Sequence, residues 1–302
     1  MNASERIQEL KAQRKAVILA HNYALPEVQD IADYVGDSLG LSQQAASTDA
    51  EVIIFCGVDF MAESAKILSP GKKVVLPESD AMCPMAAMCT DLELMPIKDK
   101  YPDAVVVAYV NTSAAVKTLA DVCCTSSNAV KVVGKLPQKR IIFVPDRNLG
   151  AYVQRFYPDK EILLWPGYCS THNDITVEEV MEIKMQHPQA KLMVHPECTP
   201  EVIDLADNVS STEGMIKYAR TNEATEFIVG TEVDMTHRLR KESPDKRFYP
   251  VPTAVCPNMK RTTISSIIKA LETLSPEITL SPEIIEAARK PLERMMEIGR
   301  GN

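Results

Sequence analysis

No stretch of this 302-residue chain stays apolar for the ~20 residues that a membrane-spanning helix needs. The opening MNASERIQEL lacks the basic segment, apolar run and cleavage site of a secretory signal, so a cytoplasmic protein without a membrane partner is expected. Basic charge is in deficit: 33 Lys and Arg stand against 41 Asp and Glu, a net −8. That balance argues against nucleic acid, whose phosphates demand a basic face, but leaves a small anionic ligand open because a local field can oppose the net charge. Also missing is any close-spaced cysteine motif of the kind that makes most metal sites legible. Eight cysteines in a cytoplasmic chain of this length do not make a disulfide framework, so thiol, metal or cluster chemistry is the better use for them. Hydrophobic content of 45% and charged content of 25% are globular values.

What the chain does contain is a repeat. Cys83, Cys169 and Cys256 are separated by 86 and 87 residues, and each closes a stretch that begins with an apolar run. VILAHNY (17–23), VVVAYVN (105–111) and LMVHPEC (192–198) set His21, Tyr109 and His195 in one register, with Tyr23, Asn111 and Glu197 two residues on. DYVGDS, DVCCTS and DNVSST align Asp33, Asp121 and Asp207, then Ser38, Ser126 and Thr212. IIFCGVDF, IIFVPDRN and FIVGTEVD follow, and KKVVLPESDAMC, KEILLWPGYC and KRFYPVPTAVC lead to the cysteines.

The runs at 16–21 and 52–56 are apolar without alternation, the pattern of parallel strands covered on both faces by helices. Helices are expected at 4–14, 27–35, after Ser38 as its cap, at DFMAESAKIL, and near 90–100 and 176–186, with a short strand around 34–36. The fold class is therefore α/β: three pseudosymmetric αβα domains with short parallel sheets around a central cavity, at 1–84, 85–170 and 171–256. Two helices in 257–302 are expected to pack back on the first domain.

Ligands of parallel α/β sheets sit beyond the carboxyl ends of the strands, where the repeat places its polar residues. His21 with Tyr23, Tyr109 with Asn111, and His195 with Glu197 share a side of each strand end. Ser38, Ser126 and Thr212 at helix starts could hold a carboxylate or phosphate, each helix end contributing about 0.3–1 kcal/mol. Asp33, Asp121 and Asp207 read as structural, and Cys56, Cys89, Cys123, Cys124 and Cys198 as small buried hydrophobes. Three thiolates from three domains suit a metal or an iron–sulfur cluster, and a cubane held by three cysteines leaves one iron open as a Lewis acid. A structural Cys3His zinc site using His172 fits the same spacing, and so does a non-catalytic sensor of an anionic metabolite.

AHNY and GDS, AYVNTSAAVK, CTSSNAV and PDRNLG, and WPGYCSTH, HPEC, SST and CPNMK together resemble the quinolinate synthase family over essentially the whole chain. The resemblance implies three pseudosymmetric domains around a [4Fe–4S] cluster ligated by Cys83, Cys169 and Cys256. It implies condensation of iminoaspartate with dihydroxyacetone phosphate to quinolinate, with release of phosphate and water, in NAD biosynthesis. An aspartate oxidase or dehydrogenase would supply the iminoaspartate. By match, substrate meets His21, Tyr23, Ser38, Tyr109, Val110, Asn111, Ser126, His172, His195, Pro196, Glu197, Ser211 and Thr212. Glu197 and His195 are the expected acid and base, with Tyr23, Tyr109 and His21 as further catalytic groups. Some relatives carry two extra cysteines before the last ligand; Pro250 and Thr253 stand there in this chain, so no disulfide switch is expected.

Overall fold

A computed structural model describes residues 2–299. Residue 1 and residues 300–302, at the ends of the first and last expected segments, lie outside the described residues. The chain opens with α1 (Ala3–Arg14), β1 (Ala16–His21), α2 (Pro26–Ile31), β2 (Tyr34–Gly36), α3 (Ser38–Ser47), β3 (Val52–Cys56), α4 (Asp59–Leu68), β4 (Lys73–Val75) and the short α5 (Pro84–Ala87). The order then recurs as α6 (Asp91–Lys100), β5 (Val105–Tyr109), α7 (Ala114–Thr118), β6 (Val122–Cys124), α8 (Ala129–Gly134), β7 (Arg140–Val144), α9 (Arg147–Gln154), β8 (Glu161–Leu164) and α10 (Ser170–Asn173). The third passage is α11 (Val177–Gln186), β9 (Lys191–Val194), α12 (Pro200–Ile203), β10 (Asn208–Val209), α13 (Thr212–Thr221), β11 (Glu226–Gly230), α14 (Met235–Glu242) and β12 (Arg247–Pro250). A turn over 257–260 replaces the short helix, and α15 (Ile264–Thr273) and α16 (Pro282–Ile298) end the chain.

The strands form three four-stranded sheets, ordered β2-β1-β3-β4, β6-β5-β7-β8 and β10-β9-β11-β12, and every pairing is parallel. The expected α/β class with three αβα units holds. β3 and β5 are buried along their whole length, because helices cover both faces of each sheet. In every sheet the first strand is followed by a neighbour on one side and then one on the other. Such a reversal opens a crevice at the strand's carboxyl end.

Local chemistry repeats with the same period. Capping boxes at Asn2 with Glu5, Thr90 with Glu93, and Thr176 with Glu179 start α1, α6 and α11, satisfying free amides at each helix end. Asp33, Asp121 and Asp207 each accept the amide of the first strand in their unit, from Ile18 (2.7 Å), Val106 (2.7 Å) and Leu192 (2.8 Å). Their structural reading is therefore right. Asp33 also explains why α2 stops at Ile31 instead of running to residue 35: Ala32 turns extended so that the carboxylate can reach β1. Lys72, Lys160 and Lys246 donate to carbonyls just beyond α3, α8 and α13, where a cation suits the negative helix end.

The inward faces of the sheets join in one apolar cluster that includes Leu19, Val107 and Met193. α15 packs Ile267, Ala270 and Leu271 against Ile7 and Leu10 of α1 and against the first sheet. α16 departs from the expectation for the C-terminal helices. Its stripe Ala288, Leu292 and Met295 lies across α4, α7 and β6, so it joins the first and second units instead of closing on the first alone. Arg289 donates to Ile67 and Arg294 to Asp121 on the two sides of that seam. Among the described residues no helix is long and apolar enough to cross a membrane.

Candidate active site

The three crevices face one another across a cavity of about 100 Å³. His21 ends β1 and Tyr109 ends β5, while His195 follows β9 and donates its amide to Gly230. After each histidine the chain bends so that its Nδ1 meets the backbone amide two residues on, Tyr23 at 3.2 Å and Glu197 at 3.4 Å. This local turn, written twice, aims both members of each pair inward. Asn148 of the second unit clamps the third by donating to the Glu197 carbonyl at 3.0 Å.

Glu197 is the hub. Its Oε2 lies 2.8 Å from His172 Nδ1 and 3.3 Å from His195 Nδ1, and the two imidazoles stack with centroids 4.6 Å apart. Burial opposes ionisation of Glu197, but the two histidines outweigh it and hold the carboxyl below its ordinary range. Burial pushes His195 below its usual value against the opposing pull of Glu197, and pushes His21 down to about 4, so the His21 ring favours the neutral form. Burial likewise raises Tyr23 and Tyr109 well above the usual phenol range, leaving protonated hydroxyls. Thr231 joins two of these groups: its Oγ1 is 2.6 Å from the Tyr23 hydroxyl and 2.8 Å from His172 Nε2. Two buried acceptors, Glu197 Oε1 and Asn111 Oδ1, have no hydrogen-bond partner among the described residues. An unpaired buried acceptor is costly, and both belong to residues lining the cavity, where a ligand with N–H or O–H groups would satisfy them.

Cys83, Cys169 and Cys256 all reach this cavity, one from each unit. All eight cysteines are free thiols, and Cys56, Cys89, Cys123, Cys124 and Cys198 are buried apart from the cavity lining. Each of the three lining thiols is pushed up by burial, Cys83 to about 12. A buried thiol becomes a stable thiolate beside a cation, so this donor set fits a thiophilic metal centre. Cys169, His172 and Glu197 also place one ligand atom each within 4.8 Å of one another, a group able to hold a metal ion.

Of the residues expected at the site, His21, Tyr23, Ser38, Tyr109, Asn111, Ser126, His172, His195, Glu197 and Thr212 line the same cavity as the three cysteines. Pro196 and Ser211 instead line an adjoining cavity of about 560 Å³ that shares Ser126 with the first. Val110 turns into the packed wall beside Phe60 and Met61. The capping roles need correction. Asp37 caps α3 through Gly40 at 2.8 Å and Ser211 caps α13 through Gly214 at 3.3 Å, so Ser38 and Thr212 are first helical residues with hydroxyls released from capping. Thr212 Oγ1 accepts from Asn22 at 2.8 Å, and Ser126 sits in the turn ahead of α8, whose flanking residue is Asn128. Thr231 and Glu232 were not anticipated. For Glu232 the signal was an acid shortly after the third strand of each unit, at Asp59, Asp146 and Glu232.

Three parallel-sheet units that pool cysteine, histidine, tyrosine and glutamate in one cavity define a class: an α/β protein with a shared site between its units whose donors could hold a metal ion. The profile of the family described as Quinolinate synthetase A protein matches residues 5–297. Proteins named quinolinate synthase from Caldicellulosiruptor saccharolyticus (52% identical over 293 residues), Geotalea uraniireducens (53% over 295) and Methanosarcina barkeri (52% over 295) each align over 97% of this chain and 97% of their own. The chain belongs to the quinolinate synthase family.

Proposed function

We propose that this protein is a quinolinate synthase: it condenses iminoaspartate with dihydroxyacetone phosphate to quinolinate, releasing phosphate and water, on a route to NAD. The observation that carries the reading is the meeting of Cys83, Cys169 and Cys256 with Glu197 on one cavity. Family membership supports the activity. The three thiols would hold a [4Fe–4S] cluster, which when bound supplies a Lewis-acidic iron without a protein ligand. Ser38, Ser126 and Thr212 would receive the phosphate or a carboxylate through hydroxyls and backbone amides. Asn111 Oδ1 and Glu197 Oε1 would accept from the imine nitrogen or substrate hydroxyls. Glu197 moves protons at its free oxygen while His172 and His195 hold the other. Tyr23, Tyr109 and His21 are donors and positioning groups around the reacting carbons. An aspartate oxidase or dehydrogenase would supply the imine, and the free thiols suit a reducing cytoplasm.

A second reading rests on Cys169, His172 and Glu197: a single zinc ion bound without iron. Anaerobic purification followed by iron, sulfide and zinc analysis separates the two. The cluster reading expects iron and sulfide in equal amounts, lost in Cys169→Ser and kept in Cys56→Ser. Stoichiometric zinc with no sulfide would overturn it.

A further inference from the structure

The three cavity cysteines are gripped in the same way. The backbone amide of Cys83 donates to Asp59 Oδ1 at 3.1 Å, that of Cys169 to Asp146 Oδ2 at 3.1 Å, and that of Cys256 to Glu232 Oε1 at 3.3 Å. In each case the acid lies 23 or 24 residues earlier, just past the third strand of its own sheet. The cysteines stand on loops, and loops are the mobile part of an α/β unit. The acids stand on the rigid strand-to-helix junctions: Asp59 is the first residue of α4 and Asp146 caps α9 through Leu149 at 2.7 Å. Glu232 also binds Lys260 Nζ at 2.7 Å, and that lysine donates to the Tyr23 carbonyl at 2.8 Å, tying the third grip to the first unit.

We infer that Asp59, Asp146 and Glu232 are positioning residues for the metal centre, each fixing one cysteine loop to its sheet so that three sulfurs from separate units converge before metal arrives. The inference rests on the cluster reading above. A ligand loop held in place in the apo protein loses less freedom on binding, and groups that orient ligands in this way typically contribute about 10- to 100-fold in metal affinity. The recurrence separates this role from ordinary structure. Asp33, Asp121 and Asp207 recur equally well, yet they hold strand amides away from the cavity.

Asp59 gives the cleanest test, because Asn keeps an oxygen that can accept the Cys83 amide and Ala keeps none. Full-length wild type, Asp59→Asn, Asp59→Ala and the control Asp121→Ala are reconstituted anaerobically with iron and sulfide. Release of iron to a chelator is then followed by the bleaching of cluster absorbance. Asp59→Ala is expected to lose iron about 10- to 100-fold faster, Asp59→Asn to stay near wild type, and Asp121→Ala to melt lower while holding iron normally. Glu232→Gln against Glu232→Ala supplies the same contrast should Asp59→Ala fail to fold. If wild type takes up no iron and sulfide, the cluster reading and this inference fall together. If wild type holds a cluster and the alanine variants release it no faster, only the positioning role is overturned.

Discussion

Glu197→Gln tests the chemistry at its hub. The amide has the length and shape of the carboxylate, so the stack of His172 on His195 and the clamp from Asn148 to the residue 197 carbonyl stay in place. What disappears is the ability to take and return a proton at Oε1, the atom left without a partner. General acid–base groups contribute about 100- to 10,000-fold, or roughly 2.7–5.4 kcal/mol of barrier. Stability should move little, because Gln keeps the volume and an amide oxygen able to accept from His172 at the same place. Turnover would be measured anaerobically as quinolinate formed, with iron content and melting temperature taken on the same preparation. The expected variant is folded, loaded with metal and slower by at least about 100-fold. Turnover near wild type would refute proton transfer by Glu197, and loss of metal would make it a support of the centre.

Asp121→Ala should cost about 1–3 kcal/mol by leaving the Val106 amide without its acceptor, seen as a lower urea midpoint; an unchanged midpoint would mean that water replaces the carboxylate. Thr231→Val removes the hydroxyl between Tyr23 and His172 while keeping the volume, so turnover should fall with metal content unchanged, and melting temperature should drop as two buried polar groups lose their partner. Full activity would show that the bridge is incidental. The folded pKa of His21 is pushed down to about 4 from 6.5, so the fold favours the neutral ring. Its contribution to stability is complete above pH 6.5 and is lost as pH falls toward about 4. Melting temperature should decline across that window, and His21→Gln should flatten the decline; parallel curves would contradict the buried neutral imidazole.

The elements that recur in fixed register were legible in the sequence: the strands, the three cysteines, and the His21, Tyr109 and His195 positions. The strands are set by local apolar pattern, the cysteines by a residue type common to all three units, and the His21, Tyr109 and His195 positions by the strands that they end or follow. The caps were misassigned because GDS and SST offer adjacent residues that are both good caps, and only backbone geometry decides between Asp37 and Ser38 or Ser211 and Thr212. The acids that grip the cysteines were hidden by a one-residue shift. Third strands start at 52, 140 and 226, but the acids stand at 59, 146 and 232, so the loop before Asp59 is one residue longer than the other two and the alignment slides past it. Thr231 carried no signal, since threonine after a strand is ordinary and its partners come from distant segments. The seat of α16 depends on which groove fits its Ala288, Leu292 and Met295 stripe, a tertiary choice that periodicity cannot make.

The central claim is that one cavity, fed by three cysteines and worked by Glu197, makes quinolinate. Its most direct test is to supply anaerobically purified, iron-loaded protein with dihydroxyacetone phosphate and freshly generated iminoaspartate, and to quantify quinolinate and phosphate together. Wild type is expected to form equimolar quinolinate and phosphate, with no quinolinate from Cys169→Ser or when either substrate is withheld. Iron-loaded wild type that forms no quinolinate, or Cys169→Ser that forms as much, would contradict it.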